Sequence, residues 1–130
     1  MTKRAITIRP TDAELELLRV LWKEGPSTVR EIHEKLPGGS RVGYTTVLKL
    51  LQIMWDKGIV ARDESARAHV YRAAAAEDAM QSHLVRDLVS RAFDGSTSRL
   101  VLRALSSRSA SAKELAEIRQ LLDRIDGGRK

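Results

Sequence analysis

Cysteine is absent from this 130-residue chain. That absence excludes a disulfide scaffold, a thiolate zinc site, an iron–sulfur cluster and a cysteine nucleophile. Aromatic residues are scarce at 4%, so a core has to be assembled mainly from Leu, Ile, Val and Ala. No apolar run approaches the roughly 18 to 20 residues that span a bilayer. The first ten residues carry Lys3, Arg4 and Arg9 and lack the apolar segment of a secretory signal. The expectation is a cytoplasmic chain without membrane insertion.

What is present is a globular balance, with 42% hydrophobic and 31% charged residues. The length suits one compact domain, or a small domain with an appendage. A net charge of +6 admits an anionic partner without identifying one, so the placement of the charges has to decide.

Thr11-Asp12-Ala13-Glu14 is a capping box, in which the Thr11 hydroxyl accepts from the Glu14 amide and Glu14 reaches back. The helix it opens carries Leu15, Leu18, Leu21 and Trp22 on one face and ends at Gly25-Pro26. Ser27 or Thr28 caps a short second helix, with Thr28-x-x-Glu31 again box-like and Val29, Ile32 and Leu36 as its buried stripe. Pro37-Gly38-Gly39-Ser40 turns the chain. A third helix runs from about Gly43 or Tyr44 to Lys57, with Gly58 as its left-handed terminator. Val47, Leu50, Leu51 and Met54 form its apolar stripe, and Thr45, Lys49, Gln52 and Asp56 lie opposite. Two β-like runs follow, Ile59 to Asp63 and Ala68 to Arg72, joined as a hairpin. Three helices and then a hairpin is the winged helix-turn-helix order.

Beyond residue 76 the pattern predicts three more helices. The first, about 77–93, has a wide apolar surface that includes Leu84 and Leu88. The second, about 97–106, clusters Leu100, Val101, Leu102 and Leu105. The last is capped by Ser111-x-x-Glu114 and places Leu115, Ile118, Leu122 and Ile125 at heptad a/d spacing. Such a small region with wide apolar faces is expected to be completed by a second copy of the chain. The fold class is therefore mainly α with a small β-hairpin: a winged helix-turn-helix domain over 8–73 and a three-helix dimerisation region over 77–126. The expected dimer contacts are Leu84, Leu88, Leu100, Leu105, Leu115, Ile118, Leu122 and Ile125.

A helix-turn-helix lays its second helix in the major groove, where side chains of its N-terminal half reach base edges. In this chain those side chains are Tyr44, Thr45, Thr46 and Lys49. Arg41 and Arg67 are placed to meet the flanking backbone, as a basic wing would. Ser27 and Thr28 stand where a helix N-terminus offers amides to a phosphate. His69 adjoins the wing, as a DNA contact or a merely exposed residue. Double-stranded DNA is the expected partner. Two other readings use the same fold: a protein-interaction module, and a regulator that answers directly to a small ligand.

Catalysis finds no support. His33 flanks a buried stripe and reads as a packed or boundary residue. His83 and Asp87, at i and i+4, lack a third metal ligand. No nucleophile elbow or phosphate-cradling glycine loop is present. Neither an enzyme nor a cofactor nor a metal is expected.

Leu21-Trp22-Lys23-Glu24-Gly25-Pro26-Ser27-Thr28-Val29-Arg30-Glu31-Ile32 resembles the helix–turn–helix signature of the BlaI/MecI/CopY family of bacterial repressors. Tyr44-Thr45-Thr46-Val47, Leu50-Leu51 and Asp56-Lys57-Gly58 resemble that family's recognition helix, and Arg67-Ala68-His69-Val70-Tyr71-Arg72 its wing strand. The resemblance extends from about Ile8 to Ile125. It implies a homodimeric repressor with interlocked C-terminal helices, binding a palindromic operator with TACA/TGTA-like half-sites. It also implies control of genes such as β-lactam resistance or metal-handling operons. In the β-lactam branch it implies release through a membrane sensor-protease. The chain departs from the family at Lys49, where Thr is frequent, and at Ile53, where Arg is frequent, which implies a different preferred operator. The stretch around Arg99-Leu100 lacks the Asn-Phe pair cleaved in the β-lactam branch, and the copper branch's cysteine motif is missing.

Overall fold

The computed structural model describes residues 9–38 and 42–128. The basic arm before Arg9, the turn residues Gly39 and Ser40, and Arg41 lie outside the described residues. The element order is α1 (Asp12–Glu24), β1 (Ser27–Thr28), α2 (Val29–Lys35), α3 (Tyr44–Lys57), β2 (Val60–Asp63), β3 (Val70–Ala73), α4 (Glu77–Ala92), α5 (Thr97–Ser107) and α6 (Ala112–Gly127). None of these helices is long and apolar enough to cross a membrane.

Helix starts follow the local chemistry of the chain. Thr11, Thr28 and Ser111 each close a capping box with the Glu three residues on, which satisfies two backbone donors at each N-terminus. Ser96 caps α5 by accepting from the Arg99 amide. At the end of α3, Gly58 adopts φ 82° and its N–H bonds back to Met54 and Trp55, a left-handed stop that a Cβ would strain.

The expected hairpin forms with a shifted second strand, β3 starting at Val70. It also gains a partner the alternation did not predict. Ser27 and Thr28 pair antiparallel with Tyr71 and Val70, giving a three-stranded sheet of order β1-β3-β2. On the other side of β3, Val60 faces Ala73 and Arg62 faces Tyr71. A two-residue strand carries no periodicity to read.

The chain divides into two compact units, the first running to Val85 and the second starting at Arg86. The core of the first unit joins Leu17, Leu18 and Leu21 of α1 to Val29 and Ile32 of α2. It continues through Val47, Leu51 and Met54 of α3, Val60 and Tyr71 of the sheet, and Met80 of α4. α1 buries more of its girth than one stripe, because β3, α2 and α3 all pack against it. The expected boundary between 73 and 77 thus moves into α4. Its first half belongs to the winged-helix core through Met80 and the half-buried Leu84. Leu84, expected as a dimer contact, is half-buried against that core. Trp22 ties α1 to the segment before α4, its indole N–H donating to the Ala75 carbonyl at 3.0 Å.

One buried charge organises this unit. Glu14 is only 2% exposed, although it sits in the first turn of α1. Its Oε1 accepts from the Thr11 amide at 2.9 Å. Both carboxylate oxygens also receive the Lys57 ammonium at 2.9 Å. Removing one partner of such a pair leaves the other inside without compensation. Lys57 keeps part of its side chain in water (31% exposed), whereas Glu14 (3%) does not. We therefore expect Lys57→Met to cost about 2–4 kcal/mol of unfolding free energy, more than Glu14→Gln costs, in paired urea denaturation curves.

In the second unit, neither α5 nor α6 contains a buried residue. Leu102, Leu122 and Ile125 are 65%, 58% and 50% exposed.

Candidate nucleic-acid interface

α3 packs Val47, Leu51 and Met54 inward with no solvent exposure. The helical period then forces Thr45, Lys49, Gln52 and Asp56 outward, and all four are exposed, as are Tyr44 and Thr46. The α3 N-terminus has no side-chain cap, since Gly43 occupies the cap position. It is held from outside instead. His33 of α2 lies with its Nε2 2.7 Å from the Val42 carbonyl oxygen, and its ring meets Tyr44 edge-on at 6.3 Å between centroids. This residue, which reads in sequence as a boundary position, fixes where the outward helix begins.

Alongside α3 runs a groove of about 450 Å³ between the α2 N-terminus, the first turns of α3 and the wing. Thr28, Arg30, Tyr44, Leu48, Arg67 and His69 are among the residues that line it. The structure thus gathers Thr28, Tyr44, Arg67 and His69 around one groove and sets Thr45, Thr46 and Lys49 on the helix face beside it. Arg30 is an additional cation that sequence reading passed over. Its only local sign is a basic residue two positions after the Thr28 cap.

One expectation at the α2 N-terminus, that of Ser27, requires correction. Ser27 is buried and its hydroxyl donates to the Gly25 carbonyl at 2.8 Å, so it has no free face for a phosphate. Thr28 donates its amide to Glu31 Oε1 at 2.8 Å and accepts the Glu31 amide at 3.2 Å. The box engages the Thr28 hydroxyl and the Thr28 and Glu31 amides, and Glu31 adds a negative charge there. Arg41 lies outside the described residues.

The wing is ordered by its own side chains. Asp63 Oδ1 accepts the Ser65 amide at 2.9 Å, and this bond, with the charge of Arg72 nearby, holds the Asp63 carboxyl below its ordinary range. Arg62 Nε donates to Glu64 Oε2 at 2.7 Å. Asp87 pairs with Arg91 at 3.1 Å, and no group of three His, Cys, Asp or Glu side chains placed to hold a metal ion is found among the described residues.

Three helices, an antiparallel wing and an outward-facing α3 define a winged helix-turn-helix domain. The profile of the family described as penicillinase repressor matches residues 10–124. The transcriptional regulator BlaI of Mycobacterium tuberculosis is 30% identical over 118 residues, covering 90% of this chain and 85% of the relative. The penicillinase repressor of Bacillus licheniformis is 26% identical over 113 residues, covering 87% and 88%. The methicillin resistance regulatory protein MecI of Staphylococcus aureus is 20% identical over 118 residues, covering 91% and 96%. The chain belongs to the penicillinase repressor family, whose members are transcriptional repressors and not enzymes.

His33→Ala should release the start of α3. The expected cost is about 1 kcal/mol, one hydrogen bond, with faster amide exchange at Val47, whose N–H bonds to the Gly43 carbonyl. Exchange measured by NMR that shows unchanged protection at Val47 would contradict this role.

Proposed function

We propose that the chain is a cytoplasmic, homodimeric repressor, each protomer placing α3 in the major groove of one half-site of a palindromic operator. One observation carries this reading. The face of α3 that the core leaves outward is the face bearing Thr45, Thr46 and Lys49, and the groove beside it is bordered by Arg30 and Arg67. Threonine hydroxyls and methyls can meet base edges, Lys49 can reach guanine or phosphate, and the two arginines suit the flanking backbone. Tyr44 and His69, which also line that groove, complete the contact surface.

The homodimer is supported by the second unit. Leu88, Leu105, Leu122 and Ile125 are exposed, and Leu100, Leu115 and Ile118 are only half-buried. A region whose α5 and α6 contain no fully buried residue gains stability by covering these faces with a second copy. Release follows an inducing signal. A membrane sensor-protease, which the resemblance to the family's β-lactam branch implies, is the proposed partner that delivers it.

Two outcomes test this reading. Lys49→Ala with Arg67→Ala should weaken operator binding about tenfold or more and lower the slope of log affinity against log salt by roughly 1 per lost phosphate contact. Titration of the chain's own promoter fragment at several salt concentrations checks it, and an unaltered slope refutes it. Separately, the wild type should sediment as a dimer at micromolar concentration and Leu122→Glu as a monomer, because a charge at that seam would be buried unpaired.

A further inference from the structure

Trp55 is 42% exposed on α3 and lies outside the core, an unusual place for one of two tryptophans in the chain. Its indole face is covered by the Arg62 guanidinium, whose central carbon stands 3.7 Å from the ring centroid, well inside cation–π range. Arg62 stands on β2 and its side chain is 14% exposed. The same guanidinium is ion-paired with Glu64 in the wing loop. It also hydrogen-bonds the side chain of Tyr71, its cross-strand neighbour, which raises its affinity for the proton. A single planar cation therefore touches the recognition helix, both strands of the hairpin and the loop that leads to Arg67.

We propose that Arg62 is the positioning residue of the wing: stacked on Trp55 and paired with Glu64, it sets the angle between α3 and the loop that delivers Arg67 to the operator backbone. This rests on the DNA-binding reading above and deepens it. Without the stack, β2 and β3 remain paired through their backbone, so the fold survives while the wing tip swings free of α3. Lysine cannot substitute, because an ammonium has neither the planar face for the indole nor the fork for Glu64 and Tyr71 together. Arg62 acts through Arg67, so losing either end of the link should produce the same deficit.

The test uses the full-length protein and a duplex selected by the wild type from a random library, titrated across salt. Trp55→Ala and Arg62→Lys should each weaken binding about threefold to tenfold, with the salt slope reduced as far as Arg67→Ala reduces it. Trp55→Phe, which keeps an aromatic face, should restore both. Arg67→Ala added to Trp55→Ala should cost almost nothing further, since the link is already broken. Full multiplication of the two effects overturns the proposal, as does wild-type behaviour of both Trp55→Ala and Arg62→Lys. If Trp55→Ala fails to fold, Arg62→Lys combined with Arg67→Ala gives the same comparison. A wild type that selects no duplex would instead overturn the DNA-binding reading, and the wing-positioning role with it.

Discussion

A carboxylate buried in the first turn of a helix is costly unless its charge is met, and Glu14 is met at both oxygens by Lys57. The pairing joins the first turn of α1 to the last residue of α3. Because Glu14 also closes the Thr11 capping box, α1 cannot shift along its axis without breaking either its own start or the ion pair. α3 is equally constrained. Val47, Leu51 and Met54 set its rotation, since a one-residue turn of about 100° would drive Thr45 or Lys49 toward the core. Gly58 then ends the helix so that Ile59 and Val60 re-enter the core as the hairpin begins. The outward face is thus a consequence of what must be inward.

The two ends of α3 are held by different chemistry. Its C-terminal end rests on a buried ion pair and a left-handed glycine. Its N-terminal end, without a side-chain cap of its own, depends on His33 reaching from α2 to the Val42 carbonyl. The wing is a third attachment, through Arg62 and Trp55. Each of these contacts is formed by residues outside the groove-facing set, so the surface that meets a partner can vary while its placement stays constant.

The second unit follows another logic. α5 and α6 are well-formed helices with capped starts, yet neither buries a residue. Capping and helical propensity order the backbone locally, whereas burial requires something to pack against. Of the apolar positions at heptad spacing in α6, Leu122 and Ile125 are half or more exposed and Leu115 and Ile118 are partly buried, and the proposed homodimer would take them out of water.

Local chemistry was largely legible in the sequence. Capping boxes at Thr11, Thr28 and Ser111, the glycine stop at Gly58, the α3 stripe and the hairpin all rest on interactions within a few residues, which spacing alone reveals. The family was legible too, through linked motifs that span most of the chain. What the sequence could not show depends on contacts between distant residues. Ser27 read as a helix-cap residue open to a phosphate, but beside its pairing with β3 it is buried and bonded to Gly25. Leu84 read as a dimer contact, and one helical turn after Met80 it also packs part of its surface against the first core. Glu14 read only as a cap, and His33, Trp55 and Arg62 carried no pattern that set them apart, because their partners lie 43, 9 and 7 residues away. Periodicity reports which face of an element is apolar, and only the tertiary structure decides what that face meets.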